Sequence, residues 1–220
     1  MLVAGELNPS SITPDGRQVV ASRGAADIVI VTLESGQARV RPLFETTQRA
    51  TSPALSRDGR WLAYSSNVSG RDEVYVRPYP GPGAPEPVSV EGGRGPAWNP
   101  NGRELFFLSP YDPAGGGQTW MMAVDFAPGP PSPFGSAHGG LSAVEGPRIG
   151  RPRVVFEYDR HDIQFDCIPT RCYDIAPDGQ RFYVMQARTP PPPPVVTHIN
   201  LIPNWLDELK AKVPTGGRAK

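Results

Sequence analysis

A short sequence motif recurs four times along the 220-residue chain: aspartate or asparagine followed by glycine, preceded in three copies by proline. The copies occupy residues 14–17, 57–60, 100–103 and 177–180. Asp15 and Asp58 are 43 residues apart, and Asp58 and Asn101 are separated by the same interval. Such pairs between strand-like segments favour a β-hairpin, because glycine adopts positive φ without a steric penalty. A fixed interval between these units indicates a repeat architecture.

Each repeat has room for four short strands. In the second repeat they are predicted at residues 53–56, 61–65, 73–77 and 88–90, with polar or Pro/Gly-rich segments between them. Four strands in roughly 43 residues is the spacing of a β-propeller blade. The sequence therefore predicts an all-β fold: a partial β-propeller of about four blades, each with four antiparallel strands, and a short C-terminal helix.

The predicted domain bounds follow from these repeats. The blades are assigned to about residues 8–44, 51–90, 94–156 and 171–201, within a propeller domain over 1–201. Residues 202–220 are assigned to the C-terminal helix and a polar tail. A Pro/Gly-rich insertion over 127–151, expected to be a surface loop, delays the last strand of the third blade. Aromatic residues of the second strands are expected to pack between adjacent blades.

Charge and composition exclude several classes of partner. Twenty-two basic residues balance 22 acidic ones, so no net field favours nucleic acid or an anionic membrane. No apolar run approaches the roughly 20 residues that span a bilayer, and the first residues lack the pattern of a secretory signal.

The residues that bind metals are sparse. Cys167 and Cys172 lie close together and are either free thiols or a local disulfide, and the sequence leaves this open. The three histidines do not complete a zinc site, and the turn aspartates are expected to cap their own turns. No metal and no cofactor are expected.

Residues 55–67 and 73–76 resemble the TolB-type, WD-repeat-like propellers of bacteria. Residues 73–83, 102–107 and 121–124, with the ending 200–209, are similar to the sensor propeller at the C-terminal end of bacterial serine/threonine protein kinases. The resemblance covers about residues 8–209. It implies a bacterial, kinase-associated sensor module. It also implies an extracytoplasmic location if the chain is the C-terminal part of a membrane-anchored kinase, and the compartment otherwise stays open.

The chain departs from these relatives in two ways. Such propellers commonly have six or more blades, whereas about four are predicted here. The 220 residues also carry no Gly-rich phosphate loop or catalytic-loop motif of a kinase. The gating propellers of prolyl-oligopeptidase-type peptidases are a second resemblance, but the Gly-x-Ser-x-Gly nucleophile elbow of their hydrolase domain is absent from the sequence.

Three arginines are the candidate binding residues. Arg94 and Arg171 each lie seven residues before the turn residue of their repeat, which predicts equivalent positions, and Arg49 lies nine before Asp58. Because the segment entering the first strand of a blade lies at the channel mouth, we expect these arginines to form part of a ring that suits a carboxylate or phosphate. The alternative is that each pairs with an acid of a neighbouring blade or faces water.

The functional prediction is a non-catalytic binding or scaffold module, with a protein partner or a small ligand at the channel mouth. One alternative is a truncated fragment that needs further blades. Its open blade edges would then favour a homo-oligomer. Another is a propeller hydrolase or lyase, which the sequence disfavours because the first strands supply Asp174 as their one acid.

Overall fold

Four antiparallel β-sheets follow one another along the chain, each built around one of the recurring turns. The computed structural model describes residues 7–34, 37–44, 48–81, 83–110, 118–129, 146–159 and 163–186. All of them lie within one compact unit, Met1–Ala187. Within these ranges all regular secondary structure is β-strand, and the sheets are arranged as the four blades of a β-propeller. The predicted fold class is confirmed.

Blades 1 and 2 are regular four-stranded sheets in which sequential strands are neighbours. The strands of blade 1 are β1 (Leu7–Ile12), β2 (Gln18–Arg23), β3 (Asp27–Glu34) and β4 (Gln37–Pro42). Those of blade 2 are β5 (Ala50–Leu55), β6 (Trp61–Ser66), β7 (Glu73–Pro78) and β8 (Glu86–Pro87).

Blades 3 and 4 depart from this plan. In blade 3 the long third strand pairs with two segments, one near its start and one at its end. Its strands are β9 (Arg94–Trp98), β10 (Glu104–Leu108), β11 (Gln118–Ala127), β12 (Arg148–Ile149) and β13 (Arg153–Asp159). Blade 4 contains β14 (Ile163–Gln164), β17 (Tyr173–Ile175) and β18 (Phe182–Gln186). Between β14 and β17 lies a two-stranded hairpin, β15 (Asp166–Cys167) and β16 (Thr170–Arg171).

Two hydrogen bonds recur in every turn: the glycine amide donates to the carbonyl three residues earlier, and the side chain of Asp or Asn accepts the amide two residues later. A hydroxyl adds a third in blades 1 and 2. In blade 2 the Gly59 amide donates to the carbonyl of Ser56 at 2.8 Å, and the Asp58 carboxylate accepts from the Ser56 hydroxyl at 2.6 Å and from the Arg60 amide at 3.1 Å. Gly59 has a φ of 71° and lies against Pro14 of blade 1, so a side chain there would be both strained and obstructed. The turn aspartates therefore cap their own turns.

The core lies between blades, because both faces of a central blade are covered. On β6, Leu62 and Tyr64 pack with blade 1, whereas Ala63 packs with blade 3. On β10, Leu105 and Phe107 pack with blade 2, whereas Phe106 and Leu108 pack with blade 4. Alternate residues of one strand thus face opposite neighbours, which explains why these strands are apolar at successive positions.

Aromatic residues supply much of this packing, as predicted. Phe126 of blade 3 makes edge-to-face contacts with Trp61 of blade 2 and with Trp98. Phe182 of blade 4 makes similar contacts with Phe106 and Phe156 of blade 3. These pairs favour adhesion between blades through their ring quadrupoles as well as through their area.

Two predicted elements differ from the structure. The fourth strand of blade 2 is at Glu86–Pro87, two residues before its predicted start, because Val88 turns inward to the core and Ser89 bonds the backbone of β7. The interval between the predicted third and fourth blades, residues 157–170, holds β14 and most of the hairpin. The end of the predicted fourth blade (187–201), the C-terminal helix, the three histidines and most of the insertion lie outside the described residues. The domain bounds stay a prediction.

Candidate functional site: the hairpin at the centre of the blades

The first strands of the blades lie at the centre of the arrangement. Strand β1 contacts β5, β5 contacts β9, and β9 contacts β17. The β15–β16 hairpin joins this central group, since β16 contacts both β5 and β9. Among the described residues, these strands and the hairpin are therefore the elements that border the centre.

The hairpin replaces a bulge that the other first strands contain. In blade 2, β5 pairs with β6 at Thr51, skips two residues, and resumes at Ala54. In blade 3, β9 pairs with β10 at Arg94 and resumes at Ala97. In blade 4 the corresponding interval runs from Gln164 to Tyr173 and holds the whole hairpin.

A disulfide ties the hairpin together. Cys167 and Cys172 are bonded, with their Cα atoms 5.4 Å apart, which answers the alternative left open by the sequence. The amide of Cys172 donates to the carbonyl of Phe165 at 2.8 Å and closes the base. Phe165 is buried among the aromatic residues of blades 3 and 4 and anchors the start of the hairpin.

The tip of the hairpin reaches blades 1 and 2. The carbonyl of Pro169 accepts the Ser52 amide at 2.9 Å, the Ser52 hydroxyl at 3.2 Å and the Ser22 hydroxyl at 3.3 Å. Ser52 adopts a positive φ of 52°, a rare conformation for a residue with a side chain. This backbone conformation belongs to the bulge of β5, and the bulge presents its amide to the hairpin.

Arg94 and Arg171, two of the three predicted arginines, lie at this hairpin. Arg94, the first residue of β9, places its Nε 2.6 Å from Oδ2 of Asp166. Asp166 lies directly opposite Arg171 in the hairpin ladder. The Arg171 Nε donates to the carbonyl of Tyr173 at 3.2 Å, and its Nη2 lies 3.7 Å from Asp174. The hairpin thus concentrates two arginines and two acids.

The equal spacing of Arg94 and Arg171 from their turns does not make their positions equivalent. Arg94 pairs with Leu108 in the sheet, and in blade 4 the matching place beside Met185 is taken by Gln164. Arg171 lies in the hairpin instead. Arg49 pairs with Asp72 near the connection between β6 and β7. The ring that binds a ligand stays a prediction.

Tyr173 fixes the hairpin against blade 3. Its hydroxyl donates to the carbonyl of Gly95 at 2.7 Å in a buried setting. Burial raises the pKa of this phenol far above its usual range, so Tyr173 stays a neutral donor. Gly95 has a positive φ of 59°, which glycine adopts without strain, and in this conformation its carbonyl accepts the Tyr173 hydroxyl.

A cavity of about 230 Å³ lies between blade 1 and the base of the hairpin. Its walls combine two residues of β1 with four of the hairpin and β17: Pro9, Ser10, Thr170, Arg171, Tyr173 and Asp174. Hydroxyl groups and one guanidinium suit an oxygen-rich anionic group such as a carboxylate. The exposed Asp174 at the rim selects against large polyanions.

Two larger grooves adjoin the turns of blades 2 and 3, the larger one lined by blade 3 alone and the smaller one by both blades. They measure about 540 and 370 Å³ and share three wall residues, Arg103, Phe126 and Pro128. Their walls are mostly hydrocarbon and mixed in charge.

The described ranges offer neither a metal-binding cluster nor a membrane-spanning helix. No group of three or more His, Cys, Asp or Glu residues there is placed to hold a metal ion. No helix in the same part of the chain has the length and apolar character to cross a membrane.

Sequence reasoning missed the hairpin, although two signals for it exist. The two cysteines flank a Pro-Thr pair, which is a turn signal. The apolar Ile163 and Phe165 precede them in strand-like alternation. However, the first strand of blade 4 is interrupted by eight residues, and such an interruption does not fit the 43-residue interval from which the blades were predicted.

No family model and no curated protein matches the chain. Among solved structures, a protein assigned as TolB from Agrobacterium tumefaciens matches with a TM-score of 0.58 and 18% identity, over 84% of this chain and 61% of that one. TolB from Acinetobacter baumannii matches at 0.48 and 16%, over 84% and 38%. The β-propeller domain of the Trilobed protease from Pyrococcus furiosus matches at 0.34 and 15%, over 71% and 59%.

These matches concern the fold. The chain spans less than two thirds of the length of each of these three structures. At 18% identity, the likeness to the first of them shows the fold alone, so the function has to be argued from the residues of the site. The chain has a β-propeller fold like that of the TolB proteins.

Proposed function

We propose that this chain is a non-catalytic binding module that holds a carboxylate group of a protein partner in the cavity beside Arg171. The observation that carries the proposal is the cavity itself, with Arg171, Thr170 and Ser10 in its walls. Arg171 is largely buried, with 19% of its side chain exposed, so its charge is little screened by water. A partly desolvated guanidinium favours a carboxylate more than an exposed one does.

The fixed position of the guanidinium supports this role. The Arg171 Nε is committed to the carbonyl of Tyr173, and Tyr173 is itself bonded to blade 3. The group is thus oriented before a ligand arrives, which lowers the entropy cost of binding. The ion pair with Asp174 is long at 3.7 Å and that acid is 72% exposed, so an incoming carboxylate competes with a weak internal partner.

A titration with succinate, followed by amide chemical shifts of the ¹⁵N-labelled full chain, tests the proposal. We expect shifts concentrated at Ser10, Thr170, Arg171 and Asp174. Arg171→Gln removes the charged donor, and we expect it to weaken binding roughly tenfold or more.

Arg181→Gln is the matched control, because Arg181 is 73% exposed and pairs with Asp178 at a turn. We expect this variant to bind succinate as the unchanged chain does. Shifts scattered over the surface, or equal affinities for the Arg171→Gln and unchanged proteins, would contradict the proposal.

The arginine ring and the kinase association are finer proposals. The resemblance of residues 73–83 and 200–209 to kinase sensor propellers supports a role as the sensing half of a bacterial receptor kinase. Arg94 and Arg49 would then extend the anion-binding site around the channel mouth. Sequencing the gene upstream of Met1 tests the association: an in-frame kinase domain supports it, and an unrelated reading frame or a stop codon contradicts it.

A further inference from the structure

The β15–β16 hairpin depends on very few bonds of its own. Its ladder consists of two residue pairs, Asp166 with Arg171 and Cys167 with Thr170. One backbone hydrogen bond closes its base, from Cys172 to Phe165. An isolated two-stranded hairpin of this length is not stable in water. The disulfide between Cys167 and Cys172 therefore sets the conformation in which the hairpin meets its neighbours.

The docking contacts of the hairpin come from three different blades. Pro169 accepts from Ser22 of blade 1 and Ser52 of blade 2, and Asp166 pairs with Arg94 of blade 3. All three contacts require the tip and the ladder to be held in one shape. If the hairpin loses that shape, the contacts are lost together, since each depends on the same few backbone angles.

The disulfide lies outside the packed core, at residues that solvent partly reaches. Cys167 and Cys172 are half-buried rather than core residues, and Ile168 beside them is 50% exposed. The bond closes a ring of six residues, so its effect on the entropy of the whole unfolded chain is at the small end for disulfides. Its loss should therefore act on the hairpin more than on the blades.

We propose that the Cys167–Cys172 disulfide is a reversible redox modification site, and that its reduction by a dithiol releases the hairpin from blades 1, 2 and 3. One thiolate of the dithiol attacks a sulfur of the bond and forms a mixed disulfide. The second thiol then displaces that sulfur. Two electrons and two protons pass to the protein, which gains two thiols, and the dithiol leaves as its own disulfide.

Release of the hairpin changes the centre of the molecule. The Pro169 carbonyl leaves the bulge of β5, and the Ser52 amide becomes open to solvent. Thr170 and Arg171 move with the hairpin, so the cavity they line loses its shape. This consequence for ligand binding rests on the proposed function, whereas the release itself does not.

Amide hydrogen exchange of the full chain, measured by NMR with and without dithiothreitol, tests the proposal without any ligand. The Ser52 amide reports docking of the tip, and the Cys172 amide reports the base of the hairpin. We expect exchange at both to rise roughly tenfold or more on reduction, while β7 amides such as Val76 stay protected. Oxidation should restore the original rates.

Two variants separate the cause. Cys167→Ser/Cys172→Ser should exchange rapidly at Ser52 in both conditions and should not respond to dithiothreitol. Oxidised Ser22→Ala keeps the disulfide and removes one tip contact, so it should exchange at Ser52 at an intermediate rate and still respond.

Three outcomes would overturn the proposal. One is unchanged exchange at Ser52 after complete reduction, shown by alkylation of both thiols. The second is free thiols in the protein purified without reductant. The third is loss of protection in β7 together with the hairpin, because the bond would then support the whole fold rather than a local switch. The failure of succinate binding alone would contradict the proposed function and leave the release standing.

Discussion

At the level of single residues, each position of the recurring Asp/Asn-Gly turn motif makes a separate contribution to the turn. The glycine supplies positive φ, and the aspartate accepts the backbone amide two residues later. In blades 1 and 2 a hydroxyl, Thr13 or Ser56, adds a bond to the same carboxylate. Blade 4 has Ala176 at this place. These tasks were predictable from sequence, because they involve neighbours along the chain.

Asp58→Ala should lower the free energy of unfolding by about 1 kcal/mol, because three hydrogen bonds to its carboxylate are lost at a partly exposed site. Urea unfolding measures this as a lower midpoint at constant slope. Asp125→Ala is the control, since Asp125 is 83% exposed and its nearest ion pair is 3.9 Å long. Equal midpoints for the two variants would show that the turn bonds contribute nothing.

The turn carboxylates should also make the fold sensitive to acid. A hydrogen bond from Thr13 to Asp15, and one from the Gln180 amide to Asp178, hold the pKa of each carboxyl below its ordinary value of 3.8. At Asp58 burial raises the pKa, but bonds from Ser56 and Arg60 outweigh it and the net direction is downward. A lowered native pKa stabilises the fold above the unfolded value and stops doing so as pH falls through the native value.

Stability should therefore fall as pH drops below about 4. The Asp15→Asn/Asp58→Asn/Asp178→Asn variant should show a shallower fall, since Asn101 already fills the same place in blade 3 without a charge. Urea midpoints across this pH range measure the effect. Parallel curves for the variant and the unchanged chain would contradict the assignment.

At the scale of elements, the strands of a blade are apolar on the faces that meet another blade. On β18, Phe182 packs against Phe106 and Phe156, whereas its neighbour Tyr183 points the other way and is 59% exposed. Phe182→Ala should cost about 3 kcal/mol, and Tyr183→Ala less than about 1 kcal/mol. Thermal unfolding of the two variants compares them directly. A larger loss for Tyr183→Ala would mean that the faces of blade 4 are assigned the wrong way round.

The elements also show where sequence reasoning ends. The second strands of blades 1 to 3 were predictable, because each begins three residues after the aspartate or asparagine of its turn. The position of β8 was not, since the inward turn of Val88 and the bond from the Val74 amide to Ser89 are tertiary effects. The hairpin was missed because it lies inside a strand. Its docking partners, Ser22 and Ser52, are more than a hundred residues away in sequence.

In the whole molecule, blade 4 carries two large apolar side chains on one face that the described parts of the other blades do not cover. Tyr183 and Met185 occupy the positions that Phe106 and Leu108 hold in blade 3, where those residues face the next blade. Here the two are 59% and 50% exposed. An apolar blade face of this kind favours contact with a further blade or a second copy.

The purified chain should therefore self-associate. Light scattering coupled to size exclusion should give a mass above the 23.8 kDa of one chain. Tyr183→Lys/Met185→Glu places two opposite charges on this face and should shift the mass to that of a monomer. The Ile12→Lys variant is the control for a general gain in solubility, since Ile12 is exposed on blade 1. A monomeric unchanged chain would contradict a role for this face in association.

The β15–β16 hairpin of blade 4, closed by its disulfide, joins the first two blades at the centre of the molecule. The most direct measurement is the coupling across the hydrogen bond between the Ser52 nitrogen and the Pro169 carbonyl carbon, in a long-range HNCO spectrum of the oxidised, deuterated chain. We expect a cross-peak for this pair, as for Tyr79 and Arg60 within blade 2, whose bond is of similar length. A spectrum with the Tyr79–Arg60 peak and no Ser52–Pro169 peak would contradict it.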